Sequence, residues 1–156
     1  MNPPSHPHPP VLLGQASTPE DFHGQPTSNS FVAIRHNDGA TEMIRYDSFV
    51  ALLFKQETPR HMIDHARGGI CEEAGEVSSV LKKHVVYGQP LNRPDLVKEL
   101  GDLRFFIQAV QNLLDIPEQE ILQENANKLC IRYKKLMYNE DDARSRDDES
   151  THFDRT

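Results

Sequence analysis

Apolar residues recur at helical spacing from about Pro59 to Tyr87, where Ile63, Ala66, Ile70, Ala74, Val77 and Leu81 fall on one stripe of an amphipathic helix. Thr58-Pro59 supplies an N-cap and a first helical residue, and Gly88 to Pro90 ends the run. A second periodic stretch, about Arg93 to Leu114, carries the stripe Leu96, Leu100, Leu103, Ile107, Val110 and Leu114 and is broken by Asp115-Ile116-Pro117. A third, Glu118 to about Met137, places Ile121, Leu122, Leu129 and Leu136 at overlapping angles. Asp47 is positioned to cap a shorter helix reaching about Gln56. Before it, two short runs flank His36-Asn37-Asp38-Gly39, where Gly or Asn can supply a positive φ, so residues 31–46 are expected to form a small hairpin. The expected fold is all-α, a helical bundle over residues 47–138.

The two ends read differently. Most of the eleven prolines lie in residues 1–30, mixed with Ser, His, Gly and Gln, which predicts a flexible arm. His6 and His8 belong to that solvated arm. Residues 139–156 are highly charged with little to bury and are expected to form a tail. A chain of 156 residues with 37% hydrophobic and 26% charged residues fits one globular domain. No apolar run approaches the ~20 residues a membrane-spanning helix needs, and Met1 to Pro10 lacks the pattern of a secretory signal, so the cytoplasm is the expected compartment. A net charge of −7 argues against tracking a nucleic-acid backbone. Cys71 and Cys130 fall in helical stretches and are expected to be buried and reduced, with no disulfide and no zinc site.

Candidate chemistry lies in the acids. Residues three apart on a helix project about 60° apart and can converge on one ion. The chain offers this twice, as Glu73-Ala74-Gly75-Glu76 and Glu99-Leu100-Gly101-Asp102, each in mid-helix. Helical projection puts Glu73 and Glu99 inside the apolar stripes and Glu76 and Asp102 at their margins, with Glu72 turned further towards solvent. An ionised carboxylate facing a core costs several kcal/mol unless paired or coordinated, and a hard divalent cation would compensate it. Oxygen-only ligands suit Mg²⁺ or Mn²⁺, and the absence of Glu-x-x-His argues against a di-iron bundle. Gly75 and Gly101 each cost about 1 kcal/mol relative to Ala inside a helix, so room is needed beside the acids, close helix packing being one reason for it. A solvated helix face explains any single acid pair, and periodicity alone leaves a metal site and two solvated faces level.

These residues resemble the MazG-like, all-α nucleoside triphosphate pyrophosphohydrolases, in particular the small single-domain members common in phages and bacteria. The resemblance runs from about His61 to Arg146. It rests on Glu72-Glu73-Ala74-Gly75-Glu76, on Glu99-Leu100-Gly101-Asp102, on the intervening Lys82-Lys83 and Tyr87-Gly88, and on Asn125, Lys128, Leu129, Arg132 and Tyr133 at the family's spacings. The family's Arg-Tyr-Pro is replaced by continuation into Lys134-Lys135-Leu136-Met137, so the last helix is expected to run on past Tyr133. The resemblance implies an intertwined homodimer or homotetramer with sites near subunit interfaces, in the host cytoplasm for a phage-encoded member. It also implies hydrolysis between the α- and β-phosphates of a nucleoside triphosphate.

Under that resemblance Glu73, Glu76, Glu99 and Asp102 are the expected Mg²⁺ ligands, and Glu72 is a candidate base or ligand-orienting group, a plain solvated Glu being the alternative. Lys82, Lys83, Lys128 and Arg132 complement phosphate charge, although surface solubility accounts equally for Lys82 and Lys83. Asn125 and Tyr133 complete the expected substrate contacts, with capping or salt bridging as the structural alternative for the polar residues of this helix. His61 and His65, one turn apart, are read as packing or exposed residues, and His84 has no assigned role. Two alternatives stand beside this function: a phosphoribosyl-ATP pyrophosphohydrolase with the same metal chemistry, and a noncatalytic metal- and nucleotide-binding regulatory module.

Overall fold

The computed structural model describes residues 27, 28 and 30–146. Most of the arm and the end of the tail therefore lie outside the described residues. The chain opens on an antiparallel hairpin, β1 (Phe31–Arg35) and β2 (Thr41–Arg45), in register Phe31 to Arg45 and Ala33 to Met43. Its turn closes through His36 N donating to Ala40 O at 2.9 Å, and Gly39 takes the positive φ of 87° that the turn needs. Val32, Ile34 and Ile44 occupy the half-buried face, whereas Phe31 and Met43 alternate to the exposed one.

Four further helices follow a short first one. Helix α1 (Tyr46–Leu53) leads directly out of β2, α2 (Pro59–Val85) and α3 (Arg93–Leu114) are the two long helices, and α4 (Glu118–Arg132) and α5 (Glu140–Ser145) follow them among the described residues. The fold is thus mostly helical with one small sheet. Thr58 caps α2 by accepting from His61 N at 3.5 Å, with Pro59 at the first turn. Asn92 caps α3 by accepting from Asp95 N at 3.3 Å, and Asp115, left-handed at φ 52°, ends it.

The core lies where α1 meets α2 and α3: Val50 and Phe54 pack against Met62, Ala66 and Ala109, with Phe105, Phe106, Val110 and Leu113 around them. Phe106 sits edge-on to both Phe105 and His65, at centroid distances of 5.4 and 5.6 Å. Gly69 makes this packing possible, since a Cβ there would lie 2.5 Å from three atoms of the Phe106 ring. His65 is therefore a packing residue, with its ring also 5.3 Å from that of Phe54.

Several expectations are corrected. Asp47 does not cap α1; Arg45 holds the cap position, and the Asp47 carboxylate turns back to accept from Thr27 N and Ser28 N at 3.0 and 3.2 Å. The last long helix stops at Arg132 instead of continuing to about Met137, and a separate short helix forms in the expected tail, capped by Asn139 accepting from Asp142 N at 2.8 Å. On α3 the fully buried positions are Gln108, Ala109 and Gln111, while Leu100 and Leu114 of the expected stripe are 47% and 43% exposed. On α2, Ala74 and Leu81 are likewise exposed. No residue of the α4 stripe is buried among the described residues, because α4 packs along neither α2 nor α3 there. Cys71 and Cys130 are exposed rather than buried.

Candidate metal centre

Helices α2 and α3 pack along one another over much of their length. This places their acidic turns face to face. One carboxylate oxygen from each of Glu73, Glu99 and Asp102 can be chosen so that all three lie within 4.8 Å of one another. Glu73 and Glu99 are half-buried, Asp102 is exposed, and Lys98 Nζ is 4.0 Å from Glu99. Partial burial, followed by the nearby Asp102, Glu72, Glu99 and Glu76 charges, raises the Glu73 carboxyl above the usual glutamate range. Three acids held this close repel unless a proton or a cation sits among them.

Glu76 is exposed and falls outside that group of three, though it lies near enough for its charge to act on Glu73; Glu72 is also exposed. Gly75 and Gly101 have no atom within 4 Å of where a Cβ would stand. Close packing among the described residues therefore does not account for these glycines, and among those residues the space over both acidic turns is open.

The expected substrate residues are not gathered around the acids by this chain. Lys82 and Lys83 lie in the last turn of α2, with Lys82 Nζ 5.7 Å over the Tyr87 ring, and His84 Nδ1 is 2.7 Å from Gln89 O. Six residues of helix, ~9 Å of rise, separate Lys82 from Glu76. Asn125 and Lys128 are exposed on α4, and Arg132 and Tyr133 are half-buried at its end, where Tyr133 packs 5.9 Å from Tyr138.

Tyr46 and, beside it, Arg104 escaped the sequence reading. Tyr46 is shifted upward by burial, downward by Arg104 and upward by Asp102, so its hydroxyl shares the electrostatic field of the cluster. Arg104 lies 5.8 Å over the Tyr46 ring. Neither position carries a sequence signal, because Tyr46 is the junction of hairpin and helix and meets Asp102 only in three dimensions.

No protein-family model matches the chain, and no solved structure matches it. The chain is 38% identical over 69 residues to the Gene 37 protein of Mycobacterium phage L5, a match covering 41% of this chain. It spans 60% of the length of that phage protein. Among the described residues no helix is long and apolar enough to cross a membrane.

Proposed function

We propose that this chain is an Mg²⁺-dependent nucleoside triphosphate pyrophosphohydrolase of the all-α type, releasing a nucleoside monophosphate and pyrophosphate in the cytoplasm of the cell that makes it. The convergence of Glu73, Glu99 and Asp102 from two helices carries the reading. An all-oxygen donor set fits a hard divalent ion, and the raised Glu73 carboxyl marks a place where positive charge is wanted. Bound there, Mg²⁺ or Mn²⁺ would neutralise phosphate charge and lower the pKa of a water.

The chain's own groups have the following roles. Glu73, Glu99 and Asp102 would hold the ion, with Glu76, one turn along α2 from Glu73, as a further ligand. Glu72 accepts a proton from water or orients it. The open space over Gly75 and Gly101 admits the phosphates. Lys82, Lys83, Lys128 and Arg132 offset their charge, and Asn125 and Tyr133 contact the nucleoside. Because α4 does not pack along the acidic helices, Asn125, Lys128, Arg132 and Tyr133 reach the site from a second copy, in a homodimer or homotetramer. Ile121, Leu122 and Leu129 of α4, exposed at 42%, 55% and 36%, suit such an assembly.

The test is pyrophosphate release from the purified full chain with a panel of nucleotides, phosphoribosyl-ATP included, in Mg²⁺ or Mn²⁺. Turnover of a nucleoside triphosphate supports the reading, and turnover confined to phosphoribosyl-ATP replaces the substrate. Nucleotide binding without product from any of them overturns the catalytic proposal and leaves a metal- and nucleotide-binding module.

A further inference from the structure

Away from the acids, the chain builds a second, wholly polar structure. Thr27 and Ser28 are 1% and 2% exposed, and they lie in a slot whose walls come from α1, α3 and the start of α4. Asp47, itself fully buried, accepts from both backbone N–H groups. Gln108 Nε2 donates to Thr27 Oγ1 at 2.8 Å, Thr27 Oγ1 donates to Asn112 Oδ1 at 2.6 Å, and Asn112 Nδ2 returns to Asp47 O at 2.8 Å. On the far side Glu118 N donates to Thr27 O at 2.8 Å, and Ser28 Oγ donates to Glu118 Oε2 at 3.4 Å. Arg104 closes the circuit by donating to Glu118 Oε1 and to Gln111 Oε1. Such polar burial is retained only where nearly every group is satisfied, and Gln108 Oε1 is the single buried side-chain atom without a partner among the described residues.

Helix α4 has no buried residue of its own, so apolar packing contributes little to its direction. We propose that Thr27 and Ser28 form a strap that sets the direction in which α4 leaves the fold, by tying Glu118 at its first turn to Asp47 on α1 and to Gln108 and Asn112 on α3. The pieces are sequence-distant, since Thr27 meets Gln108 across 81 residues and Ser28 meets Glu118 across 90. A helix rooted in this way moves as an arm about its base, and ~20 Å of rise over its length magnifies a small rotation there. In the functional reading above α4 carries Asn125, Lys128 and Arg132, so the strap would govern their reach; the strap itself does not depend on that reading.

The two native cysteines make the test direct, because Cys71 on α2 and Cys130 on α4 are both free and exposed. Nitroxide labels on them in the full chain report their separation by pulsed electron spin resonance. Dilution into unlabelled chain carrying Cys71→Ser and Cys130→Ser removes distances between copies. A single narrow distribution is expected for the native strap. Thr27→Val with Ser28→Ala should at least double its width or add a second population while the helical circular dichroism is kept. An unchanged centre and width in this variant overturns the strap. If the double variant loses its helical signal, Ser28→Ala alone decides: broadening supports the strap, and an unchanged distribution overturns it. The readout is a distance, so a failure of the hydrolase reading leaves this test intact.

Discussion

Replacing Glu73 by Gln removes one charge from the acid group while keeping the side chain's shape. With ligand atoms within 4.8 Å of one another, Coulomb's law gives ~0.9 kcal/mol per pair at the dielectric of water and ~3.5 kcal/mol at an effective value of about 20. Asp102 is exposed and the two glutamates are half-buried, so the watery end applies and each pair repels by about 1 kcal/mol. Glu73 takes part in two of the three pairs, so Glu73→Gln should stabilise the metal-free protein at pH 7 by about 2 kcal/mol, raising Tm by roughly 4–8 °C. The same thermal melts in Mg²⁺ should reverse the order. At about 100 times its Kd the ion stabilises the native chain by ~2.7 kcal/mol, whereas the variant, short of a ligand and with an affinity about 100-fold weaker, gains ~0.4 kcal/mol, enough to turn the deficit of about 2 kcal/mol into a small lead for the native chain. The pH dependence has a definite sign. The Glu73 carboxyl is raised in the folded chain from the ordinary value of 4.5, so the folded state holds its proton more tightly. Its contribution to stability therefore falls as pH rises from 4.5 through the folded value. The native Tm, referred to that of Glu73→Gln, should decline across this window without metal, and Mg²⁺ should flatten the decline. A metal-free Glu73→Gln chain melting at or below the native one would refute the convergence of charge at this site.

Three further outcomes are expected. Gly75→Ala and Gly101→Ala meet no atom within 4 Å, so each should add about 1 kcal/mol of helix stability in thermal denaturation and lower pyrophosphate release by crowding the acids; a loss of stability would show that another copy packs over them. Gly69→Ala places its Cβ against the Phe106 ring, and overpacking of ~1–3 kcal/mol less ~1 kcal/mol of helix propensity predicts a net loss of about 1 kcal/mol, read as a lower urea midpoint. An unchanged or higher midpoint would contradict that packing. Asp47→Ala leaves the Thr27 and Ser28 amides buried without an acceptor, and at ~1–3 kcal/mol for each orphaned group the full chain should lose about 2–6 kcal/mol; a loss below ~1 kcal/mol would show that the slot contributes little to stability.

Periodicity and end signals located most of the architecture before any coordinates. Thr58-Pro59 and Asn92 mark helix starts, Asp115-Ile116-Pro117 a stop, and His36 to Gly39 a hairpin turn, because caps and turns are set by residues within a few positions of one another. The same local logic put Glu73 and Glu99 on the inner sides of their helices. Three features depended on tertiary structure. Asp47 looks like a helix cap in sequence, but its partners Thr27 and Ser28 lie 20 and 19 residues away. Gln108 and Gln111 lie outside the apolar stripe of their helix, yet they are buried where Thr27 and Asn112 bond the Gln108 amide nitrogen and Arg104 bonds the Gln111 oxygen. Conversely, the leucines and isoleucines of α4 read as core and are exposed, because an amphipathic pattern states that a face needs a partner without saying which chain provides it. The sequence by itself determined where α2 and α3 begin and end, where α4 begins, and which acids share a helical face. Only the tertiary structure decided which acids converge, since the pairing of α2 with α3 brings Glu99 and Asp102 to Glu73 and leaves Glu76 outside the group. A helix fixes neighbours three and four residues apart, whereas distances between helices depend on packing that no local pattern encodes.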